Sequence, residues 1–74
     1  EAETLYQRAL AILPDHAPAL SNLGSLMMHQ GRLEEAERHI RRALALQPRM
    51  ADALVNLGFV LRASWLSVPA ILGV

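Results

Sequence analysis

The stretch EAETLYQRALAILPDHAPALSNLG (residues 1–24) returns as EAERHIRRALALQPRMADALVNLG (residues 35–58), and this recurrence decides the architecture. At an offset of 34 residues, 14 of the 24 aligned positions are identical. Chance would give about three in a chain rich in Ala and Leu, so the stretch is an internal repeat. The identities include Glu1-Ala2-Glu3 with Glu35-Ala36-Glu37 and Arg8-Ala9-Leu10-Ala11 with Arg42-Ala43-Leu44-Ala45. Pro14 pairs with Pro48, Ala19-Leu20 with Ala53-Leu54, and Asn22-Leu23-Gly24 with Asn56-Leu57-Gly58.

Both copies have the periodicity of helices. Leu20, Leu23, Gly24 and Met27 stand at i, i+3, i+4 and i+7, the spacing of one apolar helix face, and Leu54, Leu57, Gly58 and Leu61 repeat it. A second pattern runs through Leu33, Ala36, Ile40, Ala43 and Leu44, with Ala2, Tyr6, Ala9 and Leu10 as its earlier copy. Gly31 is placed to stand just past a helix C-terminus. Pro14 and Pro48 end helices of the second kind, because each lacks an N–H and disfavours helical geometry in the residue before it. The spacing predicts helices over about 1–12, 18–30, 33–46 and 51–63. Gly24 and Gly58 fall inside helices, where Gly costs about 1 kcal/mol against Ala, so each needs a packing reason. Close helix approach supplies one: small residues at Gly24 and Ala36 let a hairpin close, with Leu20, Met27, Ile40 and Leu44 around them.

Composition agrees with this reading and narrows the function classes. The chain has 74 residues, 53% of them hydrophobic, with seven basic residues (all Arg), seven acidic residues and no Cys. Twelve Ala and 14 Leu favour helix, so the expected class is all-α. A formal charge of zero removes any general electrostatic reason to bind nucleic acid or an anionic membrane. Without Cys, disulfides, Cys-type zinc sites and iron–sulfur centres are excluded. A chain of this size buries only about 60% of its unfolded surface and lies near the lower limit for independent folding. Residue 1 is Glu, and no basic segment with an apolar run opens the chain, the pattern expected of a piece of a longer protein. Nothing in it addresses a compartment, and the cytoplasm is only the default.

The helix-turn-helix period and its punctuation resemble the tetratricopeptide repeat (TPR). Residues 17–50 supply that repeat's apolar, small and proline positions in order: Leu20, Leu23, Gly24, Met27, Ala36, Ile40, Ala43 and Pro48. The resemblance covers residues 1 to about 62. It implies antiparallel hairpins of a right-handed superhelix. Residues 1–16 would be the second helix of a preceding repeat, 17–50 a complete repeat, 51–63 the first helix of a following repeat, and 64–74 an apolar tail outside the pattern. In this family the first helices line a concave groove, so the implied function is a protein-interaction module holding a peptide or protein segment there. The implied groove residues are Ser21, Asn22, Ser25, Met28 and His29 from one helix and Val55, Asn56, Phe59 and Arg62 from the next.

Asn22 and Asn56 recur at one repeat position, and their side-chain amides are suited to pairing with the backbone of an extended peptide. They resemble the asparagine ladder of the O-linked N-acetylglucosamine transferase TPR superhelix. The alternative reading is therefore the substrate-recognition arm of a protein O-glycosyltransferase, of the O-GlcNAc or transmembrane O-mannosyl type. The bland reading of each Asn is a side chain bonded to water or to its own helix. A TPR clamp for a C-terminal carboxylate uses Lys and Arg with Asn, and Ser21, Ser25, Val55 and Phe59 hold the places where those cations would stand.

Other candidates read as structural. Glu34 and Glu37 precede Arg38 and Arg41 by four residues, the favourable order for ion pairs, so the arginine cluster is expected to be a solvated salt-bridged face. Ser25 and His29 also lie four apart, but without a glycine-rich elbow, an orienting carboxylate or an oxyanion-hole motif they do not make a catalytic pair. His16, His29 and His39 lack metal-ligand spacing, and no cofactor motif is present. Residues 54–74 are long and apolar enough to suggest a bilayer span, but Arg62, Pro69 and the repeat pattern through Leu61 oppose it. The tail Ser64 to Val74 carries no charge. It is expected to cover Leu54, Leu57 and Leu61 imperfectly and to invite self-association.

Overall fold

The computed structural model describes residues 2–66, which form four helices: α1 (Ala2–Ile12), α2 (Ala17–His29), α3 (Leu33–Leu46) and α4 (Ala51–Leu66). The boundaries follow from local chemistry. The Leu13 N–H donates to the Ala9 carbonyl at 2.8 Å, and Pro14 then has no N–H with which to continue. Pro18 lies in the first turn of α2, where a missing N–H leaves no carbonyl unserved. At the other end of α2, Gly31 has a φ of +79°, as predicted from its position. The Gly31 N–H reaches the Met28 carbonyl and the Arg32 N–H reaches that of Met27, at 3.0 and 2.9 Å, which closes a Schellman turn. Glu34 and Glu35 occupy the first turn of α3, where the helix dipole favours negative charge.

Three boundaries differ from the sequence expectation. Helix α2 both begins and ends one residue earlier, at Ala17 and His29, and α4 continues three residues further, to Leu66. No helix-breaking residue stands between Gly58 and Pro69, so nothing in the chain stops the helix at 63. The remainder of the expected tail lies outside the described residues.

The described residues form a thin plate of 47 × 27 × 14 Å, whose thickness is little more than one helix with its side chains. Every helix therefore keeps a solvent face. Ala36, Ile40 and Ala43 of α3 are fully buried, with Leu20, Leu23 and Met27 of α2 on one side and Ala53 and Val60 of α4 on the other. Tyr6, Leu10, Leu44 and Leu57 pack half-buried against this cluster. The Gly24–Ala36 approach inferred from sequence is present. A Cβ built on Gly24 would lie 2.6 Å from Ile40 Cγ1 and 3.2 Å from the Ala36 carbonyl oxygen. Ala53 and Val60, which the helical periodicity did not single out, are the α4 residues that enter the core, while Leu54 is 51% exposed.

Candidate functional site

The candidate groove is built on α2 and α4, the two helices that share one repeat position. Their residues at a spacing of three or four share a face, so the registers of the two copies are compared directly. Ser21 is fully buried, and the Asn56 Nδ2 donates toward its hydroxyl at 3.5 Å, a long and weak bond. Asn56 is accordingly half-buried between the helices. Its counterpart Asn22 is exposed, so the two amides of the expected pair occupy different environments.

The other groove residues divide in the same way. Ser25 and Met28 of α2 are half-buried, Met28 against the core. Their counterparts one repeat later, Phe59 and Arg62, are exposed, as is Val55, the counterpart of the buried Ser21. His29 is exposed in the last turn of α2. Asn22 and His29 of α2 and Val55, Phe59 and Arg62 of α4 are thus the exposed members of the expected groove set. These side chains offer amide and guanidinium hydrogen bonding beside apolar contact. No hydrogen bond joins Ser25 to His29 among the described residues.

The charged side chains serve the scaffold. The Arg32 guanidinium donates to both carboxylate oxygens of Glu35, at 3.2 and 2.8 Å, and to Glu3 of α1 at 3.2 Å. Gln30 joins the same cluster by donating to Glu3 and accepting from Arg32. Hydrogen bonding from Arg32 holds the Glu35 carboxyl below the usual carboxylate range. This clamp ties α1 to the α2–α3 turn. Its Arg32–Glu35 half is an i, i+3 contact that the charge spacing read above did not single out, and Glu3, 29 residues away, carried no local signal.

In the arginine cluster, Arg41 pairs with Glu37 at 2.8 Å as its spacing predicts. Arg42 instead reaches Asp15 at 3.1 Å, and no bridge joins Glu34 to Arg38 among the described residues. His39 Nδ1 donates to the Glu35 carbonyl at 2.7 Å, which fixes its proton on that nitrogen. Among the described residues no three His, Cys, Asp or Glu side chains converge as metal ligands, and no helix is long and apolar enough to cross a membrane.

No curated protein matches the chain. The model of the family described as the Cilia and flagella-associated protein 70 middle TPR-like domain matches residues 1–66, the span over which the repeat punctuation and the four helices are found. With its internal repeat, its glycine-closed hairpin and this match, the chain belongs to the TPR-like family of the Cilia and flagella-associated protein 70 middle domain.

Proposed function

We propose that the chain binds a peptide or protein segment across α2 and α4, on the surface bearing Asn22, His29, Val55, Phe59 and Arg62. A TPR-like domain is an interaction module that works by positioning, and this surface has the chemistry such positioning uses. One observation carries the reading. Val55 and Phe59 of α4, 57% and 54% exposed, and the exposed amide of Asn22 on α2 supply apolar anchoring and backbone hydrogen bonding on the two helices that share a repeat position. Asn56 directs one amide N–H toward Ser21, which leaves its carbonyl oxygen and second N–H for a bound segment. Neither the fold nor the family match favours a glycosyltransferase arm over a general interaction module.

Because the family takes its description from a cilia and flagella-associated protein, ciliary and flagellar proteins are the first pool in which to seek the segment. The test is a peptide array from such proteins, read by fluorescence anisotropy against the 74-residue chain. Replacing Asn22 and Asn56 together with Ala should weaken a bound peptide by about 1–3 kcal/mol while leaving helicity nearly intact. A peptide that binds the double variant and a Phe59→Ala variant with unchanged affinity would show that this surface is not the site.

A further inference from the structure

The arginines of α3 do not all pair as their spacing predicts, and the departures meet in one place. Arg41 takes Glu37, but Arg38 makes no ion pair or hydrogen bond among the described residues, and Arg42 reaches past its own helix to Asp15 at 3.1 Å. Arg38 and Arg42 stand four residues apart on one face of α3, with His39 next to Arg38. These three side chains and Leu20 of α2 line a cleft of about 140 Å³. None of the four belongs to the groove set of α2 and α4.

The cleft has an apolar floor and cationic walls. Leu20 is buried, whereas Arg38 and Arg42 are exposed and His39 is half-buried. His39 donates through Nδ1 to the Glu35 carbonyl, which leaves Nε2 without a hydrogen bond among the described residues. That nitrogen is a third donor when the ring is protonated. Two carboxylates act on these groups, and neither lines the cleft. Glu35 feels the charges of Arg38 and His39, but both of its oxygens are held by Arg32. Asp15 takes Arg42 through one oxygen of a side chain that is 74% exposed, a bridge of the kind that contributes little to stability.

Charge and shape select the ligand. A carboxylate is satisfied by one guanidinium, as Glu35 is by Arg32, and would leave the second arginine unpaired. A phosphate monoester has three terminal oxygens and close to two negative charges at neutral pH, which matches two guanidinium groups on adjacent turns with an imidazole beside them. An extended polyanion is disfavoured, because the chain has no net charge and Glu34 and Glu37 share the helix with the arginines. The cleft suits one phosphate presented singly, as on a protein side chain.

We propose that this cleft binds a phosphorylated serine or threonine of a protein partner, with Arg38 and Arg42 donating to the phosphate and Asp15 giving up Arg42 to it. Asp15 and the phosphate then compete for one guanidinium. The site is independent of whether the groove holds a peptide.

The test uses the full 74-residue chain at about pH 7.5, where a phosphate monoester is largely dianionic. The probes are N-acetyl-O-phosphoserine amide, its unphosphorylated form and inorganic phosphate, read by proton–nitrogen correlation spectra. Phosphoserine should give saturable shifts in the amides of Arg38, His39 and Arg42, and serine should give none. Arg38→Gln and Arg42→Gln should each weaken binding about ten-fold. Arg41→Gln removes the same charge one residue outside the cleft and should leave binding unchanged. Asp15→Asn frees Arg42 and should tighten binding, a gain that a merely structural bridge does not produce. Circular dichroism verifies helicity, and if Arg42→Gln loses it, Arg38→Gln and Asp15→Asn decide. Absence of saturable shifts overturns the proposal, as does equal weakening by Arg41→Gln, which means general attraction to the helix. Inorganic phosphate bound more tightly than phosphoserine marks a free-ion site. Phosphatidylcholine vesicles carrying phosphatidic acid that bind the chain when phosphoserine does not mark a lipid site, and either result overturns the assignment to a protein side chain.

Discussion

Gly24 and Gly58 occupy one repeat position and meet opposite surroundings, which makes substitution at the two sites a direct probe of packing. At Gly58 an added methyl meets nothing, so Gly58→Ala should recover about 0.5–1 kcal/mol of helix stability, read as a higher midpoint in urea. At Gly24 the same methyl meets Ile40 Cγ1 at 2.6 Å and the backbone of Ala36 at 3.2 Å. Overpacking of about 1–3 kcal/mol then outweighs the propensity gain, and Gly24→Ala should lower the midpoint. Ala36→Leu acts on the same contact from the other helix and should also cost about 1–3 kcal/mol. A midpoint that rises equally at both glycines, or one unmoved by Ala36→Leu, would mean that α2 and α3 are in a different register.

At the scale of the elements, the turn between α2 and α3 and the clamp around it join three helices. Gly31 stands at φ +79°, where a side chain costs about 1–2 kcal/mol, so Gly31→Ala should destabilise by about that amount in equilibrium unfolding. Arg32 holds Glu35 and Glu3 together, and its hydrogen bonds lower the Glu35 pKa in the folded chain. A carboxyl with a depressed folded pKa binds protons less readily than its unfolded form. It therefore adds stability above the ordinary carboxylate range and loses it as the pH falls toward the folded value. Thermal unfolding followed from pH 7 downward should show this loss, and Glu35→Gln should lower stability at neutral pH while flattening the acid dependence. An equally steep acid limb in Glu35→Gln would assign the sensitivity to other carboxylates. The exposed position of the pair keeps the effect small and sensitive to salt.

Over the whole molecule, stability is unevenly distributed because the core is centred on α3. Helix α1 has no buried residue, whereas Ala36, Ile40 and Ala43 of α3 are fully enclosed between α2 and α4. Amide exchange should therefore be slowest in α2 and α3 and fastest in α1, and the reverse order would show that α3 is not the centre of the cooperative unit.

The sequence by itself determined the helices, their order and the hairpin contact at Gly24. All three depend on interactions within a few residues or on a pattern that states itself twice, so proline, glycine and the recurrence of apolar positions carry them. The family was legible for the same reason. Only the tertiary structure decided which faces are filled. Identical repeat positions, Leu20 and Leu54 or Ser21 and Val55, are buried in one copy and exposed in the next, because burial depends on whether a neighbouring helix is present and not on the residue itself. For that reason Asn22 and Asn56, equivalent in sequence, differ in space, and the reach of Arg32 to Glu3 and of Arg42 to Asp15 had no local signature. Burial and long-range pairing are properties of the stacked helices, and a helix read alone does not specify what lies against it.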